Sequence, residues 1–165
     1  MSGSRCYLEI DQSNFRHNLK GLQNLLPEQT GIIGVIKADY YGHGDLRLAE
    51  IMAEEGVNDY CVAALNEAVR LRQLGLKGSL LILGYTEQKD WMKAHEHDCI
   101  LTVASYEQVA AMSRFARSWG ITLKVEVKVD TGMHRIGIDP QISDQQIAEI
   151  YDDPCLQVSG TYSHL

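Results

Sequence analysis

Residues Thr122–Val129 read TLKVEVKV, and the alternation is strict: Leu123, Val125, Val127 and Val129 fall on one face of an extended strand, Lys124, Glu126 and Lys128 on the other. The apolar face calls for a covering layer of helices, whereas the charged face needs water, counter-charges or a ligand. Two architectures satisfy both demands. In a parallel barrel the charged face points inward and pairs near a ligand; in an open doubly wound sheet the same strand is a solvated edge.

Outward from this strand the chain alternates without a break. An apolar stretch at Tyr7–Ile10 reads as a short strand, and residues 11–26 carry Phe15, Leu19, Leu22 and Leu26 at helical spacing behind two candidate caps, Asp11 and Ser13. Strands are then expected at 31–37, 60–64, 79–83, 99–103, 122–129 and 156–164. Helices are expected between them at 45–55, 66–74, 88–95, 106–119 and 143–151, with Gly56, Gly75 and Gly120 where helices should stop. Alternation of this kind requires a parallel sheet with crossover helices. Six strand-helix units are present, whereas a closed eight-unit barrel takes about 250 residues.

With 165 residues, 45% hydrophobic and 22% charged, the chain has the length and apolar content to build one buried core. A formal charge of -7 and the lack of a basic stripe argue against a nucleic-acid partner. The apolar runs are too short for a membrane span, and the opening MSGSRCYLEID lacks a secretory signal's basic and apolar regions, so a cytoplasmic setting is expected. Cys6, Cys61, Cys99 and Cys155 are scattered without a CxxC pair and read as reduced thiols, mostly buried.

Two stretches carry chemistry. Val35–Gly44 reads VIKADYYGHG and places Lys37 at the end of the apolar run GIIGVI, on the strand face shared with Ile33 and Val35. A lysine leaving water there is either paired or kept for its amine, as Schiff-base lysines are; the plainer reading is a surface lysine that closes a strand. Lys128–Gly137 reads KVDTGMHRIG and also follows directly on a strand. Two ligand-like loops at two strand ends suggest one shared site.

Together the two stretches resemble the alanine racemase family of pyridoxal phosphate enzymes, which carry KAxxYGHG on the first barrel strand and KxDTGMxRxG on the fifth. Tyr40 replaces the usual alanine before the tyrosine, and the terminal GTYSHL is similar to the family's sixth strand. The resemblance favours the barrel: residues 1–165 would be the N-terminal part of a TIM-type α/β barrel, with its last strands and a C-terminal β domain lying outside this sequence. It also implies a pyridoxal 5'-phosphate cofactor held by Lys37, whose freed amine takes or returns a substrate α-proton. Tyr41 would bind the cofactor phosphate, Arg135 the phenolic oxygen and substrate, and His164 would pack on the pyridine ring. The Met133 backbone amide would meet the substrate carboxylate. Lys128 matches a position carbamylated in some relatives; unmodified, it could pair with Asp130 or Glu126. His43 is read as structuring its loop, and His134 as a variant where glycine is common.

The implied activity is racemisation of alanine for peptidoglycan, with serine as a second substrate and a homodimeric parent. Because racemisation needs two bases and only Lys37 is encoded, these residues alone are expected to have little activity. A non-catalytic pyridoxal phosphate carrier of the same barrel type is the alternative. A metal-dependent hydrolase using His43, Asp130, His134 and His164 is a more distant one, and no metal is expected; His95 and His97 read as a solvated helix end.

Overall fold

A computed structural model describes residues 6–44, 46–141 and 144–165. Six strands form one sheet in sequential order, and every pairing is parallel: β1 (Ile33–Val35), β2 (Asp59–Val62), β3 (Ser79–Ile82), β4 (Ile100–Val103), β5 (Leu123–Lys128) and β6 (Leu156–Tyr162). The helices are α1 (Gln12–Leu25), α2 (Lys37–Tyr41), α3 (Leu46–Glu54), α4 (Leu65–Gln73), α5 (Trp91–Glu96), α6 (Tyr106–Trp119) and α7 (Asp144–Tyr151), with a short 3-10 turn at Gln88–Asp90. Strand order without a reversal is the wall of a parallel TIM-type barrel; a doubly wound sheet would change direction at a switch point.

The alternation of β5 is resolved as the barrel requires. Leu123, Val125 and Val127 are fully buried in the core between sheet and helices, with Val62, Ile82, Leu101, Met112 and Ile150. Lys124 and Glu126 stand on the opposite face, half-buried, and Lys124 donates to Asp98 at 2.5 Å. Between Val125 and Glu126 the register against β6 slips, so that Val125 pairs with Val158 but Glu126 pairs with Gly160. The extra residue, Ser159, turns its hydroxyl onto the Val125 carbonyl.

Local signals set several boundaries. The Asp11 carboxylate accepts the Ser13 and Asn14 amides and starts α1, which decides between the two candidate caps. Helix α6 spans the expected residues, with Ser105 capping its start and Gly120 ending it in the left-handed region at φ 64°. The expected helix starts at Asp45 and Ser143 lie outside the described residues.

Other expectations are corrected. Tyr7–Ile10 pairs with no described strand and has no regular secondary structure, leaving Tyr7 and Leu8 exposed. The predicted apolar face of α1 is buried at Leu19 only; Leu22 and Leu26 stay exposed, because no described element covers that end of the helix. The first strand ends at Val35, two residues before Lys37, since the backbone turns left-handed immediately after it.

Candidate active site

That turn is unusual. Ala38, Asp39, Tyr40 and Tyr41 have φ of 52°, 53°, 57° and 56°, four successive non-glycine residues in the left-handed region, closed by Gly42 at φ 79°. Each such residue costs roughly 1–2 kcal/mol relative to right-handed backbone, so the turn persists only because its surroundings hold it. The Gly42 amide closes onto the carbonyls of Ala38 and Asp39, and the His43 amide onto that of Tyr40. His43 Nδ1 lies 3.0 Å from the same Tyr40 oxygen, which gives the histidine a part in shaping the loop. The Tyr40 ring packs edge-on against Phe15, and its hydroxyl donates to Met52 Sδ at 3.1 Å. From α4, Glu67 accepts the Ala38 amide at 2.7 Å.

The turn delivers Lys37 to a cleft of about 500 Å3 at the carboxyl ends of the strands. Val35 and Lys37 line it together, as the alternation of the first strand predicts. Lys128, Arg135 and His164 line it as well, so four of the six residues singled out in the sequence converge on one space. The other two stand apart from this lining. The Tyr41 ring lies beside Lys37, its centroid 5.8 Å from Nζ, with an exposed hydroxyl-bearing side chain. Met133 is an exposed residue in the loop that carries Arg135.

Loop and strand fix the opposite wall. After β5, residues 130–137 leave and return, and Ile138 pairs with the strand end: its amide donates to the Lys128 carbonyl at 2.8 Å and its carbonyl accepts the Asp130 amide at 2.9 Å. Within the loop, the Asp130 carboxylate accepts the Gly132 and His134 amides, bonds that hold its carboxyl below the usual aspartate range. Lys128 is buried, with 4% of its surface exposed, and donates to the Val129 carbonyl at 2.6 Å. Neither Asp130 nor Glu126 is its ion-pair partner among the described residues, because Asp130 is turned onto its own loop and Glu126 lies one pleat away beside Ser159.

Sequence reasoning missed Tyr162 and Cys61. The Tyr162 ring sits 5.8 Å from Lys128 Nζ, and its hydroxyl shares a 2.7 Å hydrogen bond with Thr102 Oγ1, which in turn donates to the Ile82 carbonyl. Burial raises the Tyr162 phenol, keeping it neutral and able to donate. Cys61 lines the cleft beside these groups, its thiol pushed up to about 11 by burial. The alternation of β2 and β6 could have placed either residue on the inner face; Tyr162 lies within GTYSHL, where the resemblance points to His164, and Cys61 belongs to no recognisable motif.

The chemical character of the cleft is anion-seeking. Lys37, Lys128 and Arg135 face it, no carboxylate is among its described lining residues, and Leu83, Ile136 and Val35 add apolar wall. A ligand with a flat apolar body and negative groups suits such a lining, and pyridoxal phosphate has that composition. Among the described residues no three His, Cys, Asp or Glu side chains gather as a metal site would require; Asp130 and His134 approach to 3.8 Å, without His43 or His164 beside them. No helix of the described residues is long and apolar enough to cross a membrane.

A sequentially ordered parallel wall with a basic cleft at its carboxyl edge defines a ligand-binding protein of the TIM-barrel class. The chain belongs to the family described as alanine racemase, N-terminal domain, whose model matches residues 10–165. It is 35% identical over 160 residues to an alanine racemase of Helicobacter pylori (strain G27), covering 96% of this chain and 42% of that protein. It is 32% identical to a serine/alanine racemase of Enterococcus gallinarum, over 98% of this chain and 22% of that one. Among solved structures, the alanine racemase of Clostridium difficile 630 superposes with a TM-score of 0.86 at 36% identity, over 93% of this chain and 40% of that chain. The chain thus spans less than half the length of these relatives.

Proposed function

We propose that this chain is the cofactor-binding barrel portion of a pyridoxal 5'-phosphate-dependent amino-acid racemase whose substrate is alanine. The observation that carries the reading is the convergence of Lys37, Arg135 and His164, with the buried Lys128, on one cleft at the carboxyl ends of the strands. When bound, the cofactor supplies an electron sink that acidifies the substrate α-carbon. Lys37 would hold the cofactor through its amine and, once released, take or return the α-proton on one face of the substrate. Arg135 offers a planar, permanently charged donor to the anionic oxygen of the ring and to the substrate carboxylate. Tyr41 would donate its hydroxyl to the phosphate, and His164 would pack on the pyridine ring. The Met133 amide is assigned to the substrate carboxylate.

Lys128 is assigned the carbamylated role. A buried ammonium with a single carbonyl acceptor is costly, whereas a carbamate would be an anion able to orient Arg135 across the cleft. Serine is the second candidate substrate, supported by the similarity to a serine/alanine racemase. The opposing base, the closing strands and a homodimeric cytoplasmic parent supplying D-alanine for peptidoglycan belong to the same proposal, and residues 1–165 are assigned one of the two bases only.

The test is chemical. The chain is incubated with pyridoxal 5'-phosphate, reduced with borohydride and mapped by peptide mass; near-stoichiometric modification at Lys37, abolished in Lys37→Ala, is the expected result. Modification spread evenly over exposed lysines, unchanged by Lys37→Ala, would refute the assignment.

A further inference from the structure

We infer that Glu67 is the positioning residue for Lys37: one carboxylate on α4 clamps the left-handed turn that follows the lysine to the end of the neighbouring strand. This inference rests on the reactive role proposed for Lys37.

The geometry is specific to the two oxygens. Glu67 Oε1 accepts the Ala38 amide at 2.7 Å, and Oε2 accepts the amides of Ala63 at 2.7 Å and Ala64 at 3.1 Å. The Ala38 N–H lies in the same rigid peptide plane as the Lys37 carbonyl, so the first bond fixes the backbone torsion from which the Lys37 side chain departs. The second oxygen anchors the carboxylate to the segment just after β2, where Ala63 itself lines the cleft. Three bonds to a charged acceptor are stronger than neutral ones.

Other contacts to the turn do not do this. The Arg70–Asp39 pair is 3.5 Å long and exposed at both ends, the kind of surface pair that adds little. Tyr40 packs against Phe15 and Met52 on the far side of the turn from the lysine's peptide. With four residues in the left-handed region, the turn would relax if released, and Lys37 would swing with it. A glutamate at the third position of a helix commonly caps its own amides. Here it does that and reaches across to another element.

The two duties separate by side-chain length. Glu67→Asp keeps the charge and can still serve Ala63 and Ala64, four and three residues away, but is one methylene short of Ala38. Amide hydrogen exchange by NMR on the whole chain should then show Ala38 losing protection at least tenfold while Ala63 and Ala64 keep theirs. The rate of borohydride trapping of pyridoxal 5'-phosphate at Lys37 should fall threefold or more, with an altered pH profile, in a molecule whose far-UV spectrum is unchanged. A role confined to capping α4 would leave both the Ala38 exchange and the trapping profile as in the wild type, and either result overturns the inference. Should Glu67→Asp fail to fold, Glu67→Gln replaces it: its single oxygen cannot serve both sides, so loss of protection at Ala38 or at Ala63 and Ala64 together with slower trapping at Lys37 supports the clamp, and wild-type exchange at all three with wild-type trapping overturns it. If the wild type itself is not trapped at Lys37, the functional reading fails, and the Ala38 exchange still decides whether the clamp exists.

Discussion

Gly137 is where a single methyl should do most damage to the site without touching it. Its φ is 137°, and an added Cβ would lie 2.6 Å from the Asp130 nitrogen, 2.9 Å from the Val129 carbonyl carbon and 3.1 Å from Asp130 Cβ. Two of these neighbours are backbone at the end of β5, which cannot step aside as a flexible side chain would. Relief requires the returning strand to lift, breaking the Ile138–Lys128 and Asp130–Ile138 hydrogen bonds at 2.8 and 2.9 Å. At about 0.5–1.5 kcal/mol each, these bonds account for roughly 1–3 kcal/mol. Forcing an L-residue into the left-hand half of backbone space adds about 1–2 kcal/mol. Gly137→Ala should therefore destabilise the chain by about 2–5 kcal/mol, lowering Tm by about 4–20 °C for a domain of this size. Because Arg135 is two residues upstream, capture of pyridoxal 5'-phosphate should weaken about tenfold or more, equivalent to roughly 1.4 kcal/mol. Thermal unfolding followed by circular dichroism, together with cofactor titration, measures both. A Tm within about 2 °C of wild type and unchanged capture would show that the loop tolerates the methyl and that its close return to β5 does not hold Arg135.

Two further outcomes follow from buried titrating groups. Burial raises the Glu126 carboxyl above the ordinary glutamate range, with Ser159 pulling slightly the other way. A raised acid favours the protonated folded state, so stability is full below the ordinary range and falls as pH rises through it; Glu126→Gln should stabilise the chain at neutral pH, and urea titrations should show that gain vanish near pH 4. A larger gain in acid would reverse the argument. The Cys61 thiol, at about 11, is ionised to about one part in a thousand at pH 8, so iodoacetamide should alkylate it at least about a hundredfold more slowly in the folded chain than in urea. Rapid labelling of Cys61 without unfolding would mean the thiol is neither buried nor raised.

The elements of this fold were largely legible because their signals are local. The period-two pattern of β5, the Asp11 cap of α1 and the Gly120 stop of α6 each act within a few residues, and each is found where the sequence puts it. The motif residues Lys37, Lys128, Arg135 and His164 were also legible, since they stand at or soon after the ends of strands whose carboxyl ends must share one edge of a parallel sheet. Less visible were features that depend on distant partners. The expected strand at Tyr7–Ile10 had the composition of a strand but no described neighbour to pair with, and the apolar face of α1 had only part of its cover.

By itself, then, the sequence determined periodicity, several helix ends and the four motif residues, Lys37, Lys128, Arg135 and His164, that reach the cleft. Tertiary structure alone decided the rest. The left-handed path of Ala38–Tyr41 contradicts local preference and exists because Glu67, Phe15 and Met52 hold it from other elements. Likewise Tyr162 leans on Thr102 sixty residues away, because parallel pairing brings remote strands within hydrogen-bond reach. Propensity acts between neighbours in the chain; strain and charge are settled only between neighbours in space.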